Sequence, residues 1–114
     1  MSEFEYIIKG LIAVIKEYID NSKESKNGYD KSITLDSCCT FSYYSLDFVS
    51  VTQLYKKDNS YFVRINRCHN NMKNILGTTA FSLNALLTTD DIPLLIRIVR
   101  TLRKMEEIKD DRSE

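Results

Sequence analysis

The segment DDIPLLIRIVRTLRKMEE, residues 90–107, constrains the fold most, because it admits two incompatible periodicities. As a helix, Leu95, Val99, Leu102 and Met105 or Glu106 fall three to four residues apart, and Asp90 and Asp91 stand where a cap belongs. As a strand running into a short basic helix, Ile92, Leu94, Ile96 and Ile98 alternate onto one face. Pro93 then sits near the strand's start, and three of the residues 96–99 are β-branched. Periodicity alone does not choose, so the neighbouring segments must.

The N-terminal stretch is less ambiguous. Ser2 and Glu5 have capping-box spacing, and Phe4, Ile7, Ile8, Leu11, Ile12, Ile15, Tyr18 and Ile19 form one stripe at helical spacing. A core-facing helix is predicted over 3–20, ending near Asn21. Its polar face mixes Lys with Glu, which favours a core role over a membrane surface. NSKESKNGYDK, polar and turn-rich, reads as an exposed loop. Residues 32–55 are dense in β-branched and aromatic side chains, KKDNS is a turn, and YFVRINRC follows. This predicts a hairpin of strands at about 41–55 and 61–68, with Arg64 exposed. In residues 69–91, Met72, Ile75, Leu76, Thr79, Ala80, Leu83 and Leu86 or Leu87 share a helical face, and Asn70 or Asn71 stands at a cap position. A helix is predicted at 70–87. Gly77 inside it would cost about 1 kcal/mol relative to Ala, which close packing against a neighbour would explain.

Two such helices would poorly cover a sheet of only two strands. A third strand at 92–99 gives the sheet a centre and both helices a face, so the strand reading is favoured, with a short basic helix at 101–109. The 114 residues suit one domain, and no Pro/Gly linker or internal repeat divides them. The predicted class is α+β: a small antiparallel sheet of about three to four strands with helices packed against it.

Hydrophobic residues at 43% and charged residues at 28% are ordinary for a globular protein, and sixteen basic side chains balance sixteen acidic ones. The distribution is uneven. From Arg64 to Lys104 there are seven basic residues against two acidic, which makes either an anion-binding face or a solvated surface. The N-terminus is acidic with spaced apolar residues, unlike a secretory signal. No run of about 18 apolar residues suits a membrane span. With three cysteines, two of them adjacent, the expected setting is reducing and intracellular: nuclear or nucleolar in a eukaryote, otherwise cytoplasmic.

With a strand at 92–99, the second half resembles the small protein subunits of ribonuclease P and ribonuclease MRP that have an RRM-like α/β sandwich. SYFVRINRCHNNM is similar to that family's strand ending in an Ile-Arg-Cys-like element before a helix. NMKNILGTTAFSLNAL stands in the place of its apolar helix. LLIRIVRTLRKMEEI resembles its strand of type VIRVVR leading into SGTIRKAEE. The likeness spans about residues 45–108 and is best over 61–107. Two features depart from the family: no strand precedes the first helix, and no Ser-Gly separates Arg100 from Thr101. The resemblance implies an RRM-like fold and a non-catalytic RNA-binding subunit of a ribonucleoprotein that processes tRNA or rRNA, where the RNA is the catalyst. Structured RNA and at least one protein subunit are the implied partners, with no membrane and no cofactor. Arg64, Arg67, Arg97, Arg100, Arg103 and Lys104 are the implied RNA-binding positions, because Arg and Lys contact phosphates and displace counterions. RNA binding would place Arg97, Arg100, Arg103 and Lys104 together on one exposed face near Arg64.

Tyr43, Tyr44, Tyr55, Tyr61 and Phe62 are candidates for base stacking by composition only. Strand aromatics more often pack, and the RRM aromatic motifs are missing, so stacking on the sheet is not predicted. Cys38, Cys39, Cys68 and His69 are poorly spaced for zinc, since adjacent strand residues point to opposite faces; buried thiols are the default. Cys68 and His69, as sequence neighbours, seldom hold nucleophile–base geometry. Three scattered glycines cannot build a phosphate loop. No catalytic residue and no metal is expected. Two alternatives remain: a protein–protein scaffold marked by an exposed apolar patch, and a single-stranded DNA-binding module marked by exposed aromatics in a basic groove.

Overall fold

Two left-handed residues at the tip of the central hairpin set the geometry. Asp58 (φ 52°) and Asn59 (φ 64°) both take positive φ, as a two-residue hairpin turn matched to strand twist requires, and Asp and Asn tolerate that region better than most side chains. The turn joins β2 (Asp47–Lys57) to β3 (Ser60–His69) and fixes the pairs Lys56↔Tyr61, Tyr55↔Phe62 and Leu54↔Val63. The computed structural model describes residues 2–22, 28–42, 47–69, 74–89 and 91–112, with side chains over 2–22, 28–35, 50–66, 77–89 and 91–108.

Around the hairpin lie α1 (Glu3–Asp20), β1 (Lys31–Ser42), β4 (Asn74–Ser82), a 3-10 turn at Leu83–Ala85, and α2 (Asp91–Arg112). The strands form one antiparallel sheet in the order β1-β2-β3-β4. The fold is therefore α+β, with helices packed against a small antiparallel sheet. Its connectivity corrects the RRM-like expectation. The strands follow one another as a meander with α1 before them and α2 after, so no helix is interleaved between strands.

α1 forms as its sequence dictates. The Glu5 N–H donates to Ser2 Oγ at 3.4 Å, and Glu3 and Glu5 place negative charge in the first turn, where the helix dipole favours it. Ile8, Ile12, Ile15 and Ile19 are buried along one stripe. They meet Leu35, Val51, Leu54, Val63 and Ile65 from one face of the sheet, and Leu94, Leu95, Ile98, Val99 and Leu102 from α2. α1 and α2 also pack on each other, and their main contacts with the sheet are on β1 and β2.

Three element assignments are corrected. The strand expected at about 41–55 is divided between the end of β1 and most of β2, which pair antiparallel. Residues 92–99 are not a strand: they belong to α2, together with the residues read as a separate helix at 101–109. Strand alternation would turn Leu95 and Val99 away from Leu94 and Ile98, whereas the helix buries all four. Pro93 lies in the first turn, where its missing N–H costs nothing, and the Asp91 carboxylate accepts from the Thr88 N–H at 2.9 Å and the Thr88 hydroxyl at 3.0 Å. The helix also runs on uninterrupted through Arg100 and Thr101, where the family's Ser-Gly would break it.

The helix read at 70–87 is not formed over its described part, 74–87, while Asn70, Asn71 and Met72 lie outside the described residues. Residues 74–82 are β4, paired to β3 through Val63↔Phe81, Arg64↔Ala80 and Ile65↔Thr79. Gly77, Thr78 and Thr79 are weak helix formers, and the free edge of β3 offers their backbone a ladder. Nothing lies within 4 Å of a side-chain carbon built on Gly77, so close packing does not explain that glycine.

Leu54 and Val63 are both fully buried at the centre of the core. Leu54→Ala is expected to lower unfolding stability by about 2–5 kcal/mol in urea denaturation. Thr79→Ala, at an exposed β4 position, should stay within about 0.5 kcal/mol.

Candidate nucleic-acid interface

The helices cover one face of the sheet and leave the other open. Cross-strand register sets the side chains of the open face in rows: Ser32, Tyr55, Phe62 and Ser82 in one, Thr34, Gln53, Arg64 and Ala80 in the next, and Ser50, Asn66 and Thr78 in a third. Most are small or polar, and Thr78 Oγ1 donates to Asn66 Oδ1 at 2.8 Å.

The exception is a cluster around Tyr55. Its ring lies between Tyr29, at 4.3 Å between centroids, and Phe62, stacked at 5.1 Å and 18°. The Arg64 guanidinium sits 5.4 Å from the Tyr55 centroid and 5.9 Å from that of Tyr29, and Nη2 donates to the Tyr29 hydroxyl at 2.6 Å. Tyr55 is buried by these neighbours, while Tyr29, Phe62 and Arg64 keep partial exposure. Arg64 Nε is enclosed and has no hydrogen-bond partner among the described residues. Hydrogen bonding with the Tyr55 hydroxyl, with lesser help from Tyr29, raises the Arg64 pKa against the opposing effect of burial, so the guanidinium stays charged. Cation–π contact adds roughly 0.5–2 kcal/mol per pair. The cluster joins partly exposed aromatic rings to a cation, with one enclosed N–H.

The six basic positions inferred from sequence do not form one face. Arg64 is on the open side of the sheet. Arg97, Arg100, Arg103 and Lys104 are exposed on α2, which packs on the opposite side. Within α2, Arg97, Arg100 and Lys104 share the outward face, and Arg103 borders a shallow cleft with Tyr18 and Glu106. The Tyr18 hydroxyl donates to Glu106 Oε2 at 2.7 Å, and that bond raises the tyrosine's pKa. Arg67 lies in β3 opposite Gly77, with its side chain outside the described set.

Tyr61 is on the covered side. Its hydroxyl donates to both Asp20 carboxylate oxygens, at 2.7 and 2.9 Å, and Lys56 Nζ meets Oδ1 at 3.3 Å. Lys31 Nζ donates to the Asp20 and Ser22 carbonyls at 2.7 and 3.2 Å. α1 carries no basic residue in its own last turn, so lysines from β1 and β2 supply the positive charge that its C-terminus favours. These lysines are engaged in structure rather than free for a ligand.

Tyr29 is the residue that sequence reasoning missed. It sits in a polar loop with no periodicity, and the available signal was Gly28 beside it, whose φ of 83° reverses the chain onto the open face. Tyr43, Tyr44, and the side chains of Cys38, Cys39, Cys68 and His69 lie outside the described set. Among described residues, no group of three His, Cys, Asp or Glu side chains comes together, and no helix is long and apolar enough to cross a membrane.

The Asp20 cluster has a pH signature. The Tyr61 hydrogen bond, and then Lys56, lower the Asp20 pKa on folding. The folded chain therefore binds fewer protons there than the unfolded chain does. That stabilisation is complete above the ordinary carboxylate value near 4 and is lost as pH falls through the depressed one. The urea midpoint of the wild type is expected to fall more over this acid range than that of Asp20→Asn, with the two curves converging at the lowest pH.

No protein-family model matches the chain, and neither a curated protein nor a solved structure matches it.

Proposed function

We propose that this chain is a non-catalytic nucleic-acid-binding protein that takes a single strand, RNA first among the targets, across the open face of its sheet. The observation that carries this reading is the Tyr29–Tyr55–Phe62–Arg64 cluster on a face without helices. Stacking of a base on an aromatic ring contributes about 1–3 kcal/mol and tolerates any sequence, because every base has a π-face. Phe62 offers the partly exposed ring, and Arg64 offers a partly exposed positive charge for a phosphate or base edge. The polar rows beside them suit a wet, hydrogen-bonding ligand better than an apolar protein surface.

The finer form of this reading is a subunit of a ribonuclease P/MRP-like particle, paired with a protein partner and acting in tRNA or rRNA processing. The segment LLIRIVRTLRKMEEI, which resembles that family's strand, is helical here, so support for RNA comes from the sheet face rather than from that segment. Arg97, Arg100 and Lys104 form a second, separate basic surface on α2, suited to the phosphates of a folded RNA.

The test is fluorescence polarisation of labelled single-stranded RNA, single-stranded DNA and duplex RNA across a salt series. Tyrosine emission gives a second signal, because the chain has no tryptophan. Single strands are expected to bind and quench that emission. Phe62→Ala and Arg64→Ala should each weaken binding about 5- to 100-fold, while a triple Ala variant at Arg97, Arg100 and Lys104 leaves single-strand affinity nearly unchanged. If the triple variant alone loses binding, and duplex RNA is preferred, the α2 surface is the site. No binding at low salt to any of the three would reject the nucleic-acid reading.

A further inference from the structure

The outer edge of β4 differs from the other free edge of the sheet. β1, at the far side, carries Lys31 and Asp36 and has a register break between Thr34 and Cys39, devices that discourage edge-to-edge pairing. β4, NILGTTAFS, has no charged residue and no proline, and its single irregularity lies near its start, opposite Arg67 and Cys68. From Gly77 to Phe81 the edge is regular and exposed, and no described strand pairs with its outer side.

A second observation concerns the helix-side face. The helices pack mainly on β1 and β2, so the β4 end of that face is left bare. Phe81 stands there 42% exposed, and Leu87, just beyond the 3-10 turn, is 48% exposed. Gly77 and Thr79 share the face with Phe81, and the space above Gly77 is empty. An unprotected edge and an uncovered aromatic therefore coincide on one strand.

We propose that β4 pairs antiparallel with the β4 of a second copy of this chain, joining two four-stranded sheets into one of eight strands. The strand suits a two-fold axis. With the axis at Thr79, Phe81 of each copy faces Gly77 of the other, so the ring covers the position that lacks a side chain. The same surface serves on both copies, which closes the assembly at two. With that axis residues 76–82 of the two strands overlap, a paired edge of roughly 24 Å at about 3.4 Å per residue, and Phe81 adds apolar area to it. A second copy is favoured over an unrelated strand because the edge carries no charge for a partner to complement, and the open space at Gly77 matches its own Phe81. This inference stands independently of the nucleic-acid reading.

Sedimentation velocity of the full chain over the micromolar range tests it, with the variant Thr79→Lys/Phe81→Lys alongside. Both positions are exposed in the single copy, so far-UV circular dichroism should be unchanged while the edge gains repelling charge. The wild type is expected to sediment as a dimer and the variant as a monomer. Hydrogen exchange of the wild type gives a reading that does not depend on the variant folding: amides from Gly77 to Ser82 should all be protected in the dimer, where a free edge protects only alternate ones. A wild-type monomer at every concentration, a double-lysine variant that stays folded and dimeric, or fast exchange of alternate β4 amides in a dimer would each overturn the proposal.

Discussion

The Asp58–Asn59 turn fixes the register on which the two-layer arrangement depends. Side chains of a strand alternate between faces, so a slip of one residue would send Leu54 and Val63 to the open side and bring Tyr55 and Phe62 under the helices. Two residues in the left-handed region hold the strands to one pairing, and burial of Leu54 against Val63 makes that pairing the stable one. The same register breaks once, between Val51 and Gln53, where Thr52 is extra in β2. That bulge preserves burial of Val51 and Ile65 on one side while Gln53 and Arg64 stay together on the other.

From this constraint follows a division of labour among similar side chains. Lys56 and Tyr61 form a cross-strand pair on the covered side, where they close the C-terminus of α1 around Asp20. One step along each strand, Tyr55 and Phe62 form the matching pair on the open side, with Arg64 alongside. Composition does not distinguish Tyr61 from Tyr55, since both are tyrosines in strands beside basic residues. Their roles separate only through alternation relative to the buried Leu54–Val63 pair.

Legibility from sequence follows the same logic. α1 was legible because its cap, its acidic first turn and its four buried isoleucines agree on one structure. The hairpin was legible because KKDNS interrupts two β-rich runs. Residues 74–82 were misleading because Ile75, Leu76, Thr79, Ala80 and Leu83 fit a helical stripe by coincidence, while the free edge of β3 that captures them is a tertiary feature. The segment 91–112 was misleading for the converse reason: a run of Ile and Val suggests a strand, yet two adjacent leucines, Leu94 and Leu95, both need burial, and only a helix provides it. These errors compensated in class, since the strand at 92–99 was lost while β4 and a separate β1 were gained. The α+β expectation therefore survived although the order of elements did not. Of the candidate site, Arg64 was legible as an exposed basic residue, but its companion Tyr29 was not. Thirty-five positions separate them, and the pairing of Asp30 and Lys31 with Lys56 sets Tyr29 beside the hairpin.

The excess of basic residues in the second half is also less uniform than it looks. Three of its members, Arg97, Arg100 and Lys104, point outward from α2 because the opposite stripe of that helix carries the core. Arg64 instead lies beside two aromatic rings on the other side of the molecule, with its pKa raised and Nη2 on the Tyr29 hydroxyl. Outward-pointing side chains on a helix act as point charges in high dielectric, so their pull on a polyanion is strong only at low salt. Arg64 is already oriented by two rings and the Tyr29 hydroxyl, so part of the ordering entropy that a free arginine would lose on binding has been spent in folding. The two basic features therefore differ in kind. A contribution from α2 scales with counterion release and so with the number of phosphates engaged. A contribution from the sheet face depends on the geometry of one ring and one guanidinium, and persists in salt that would silence the helix.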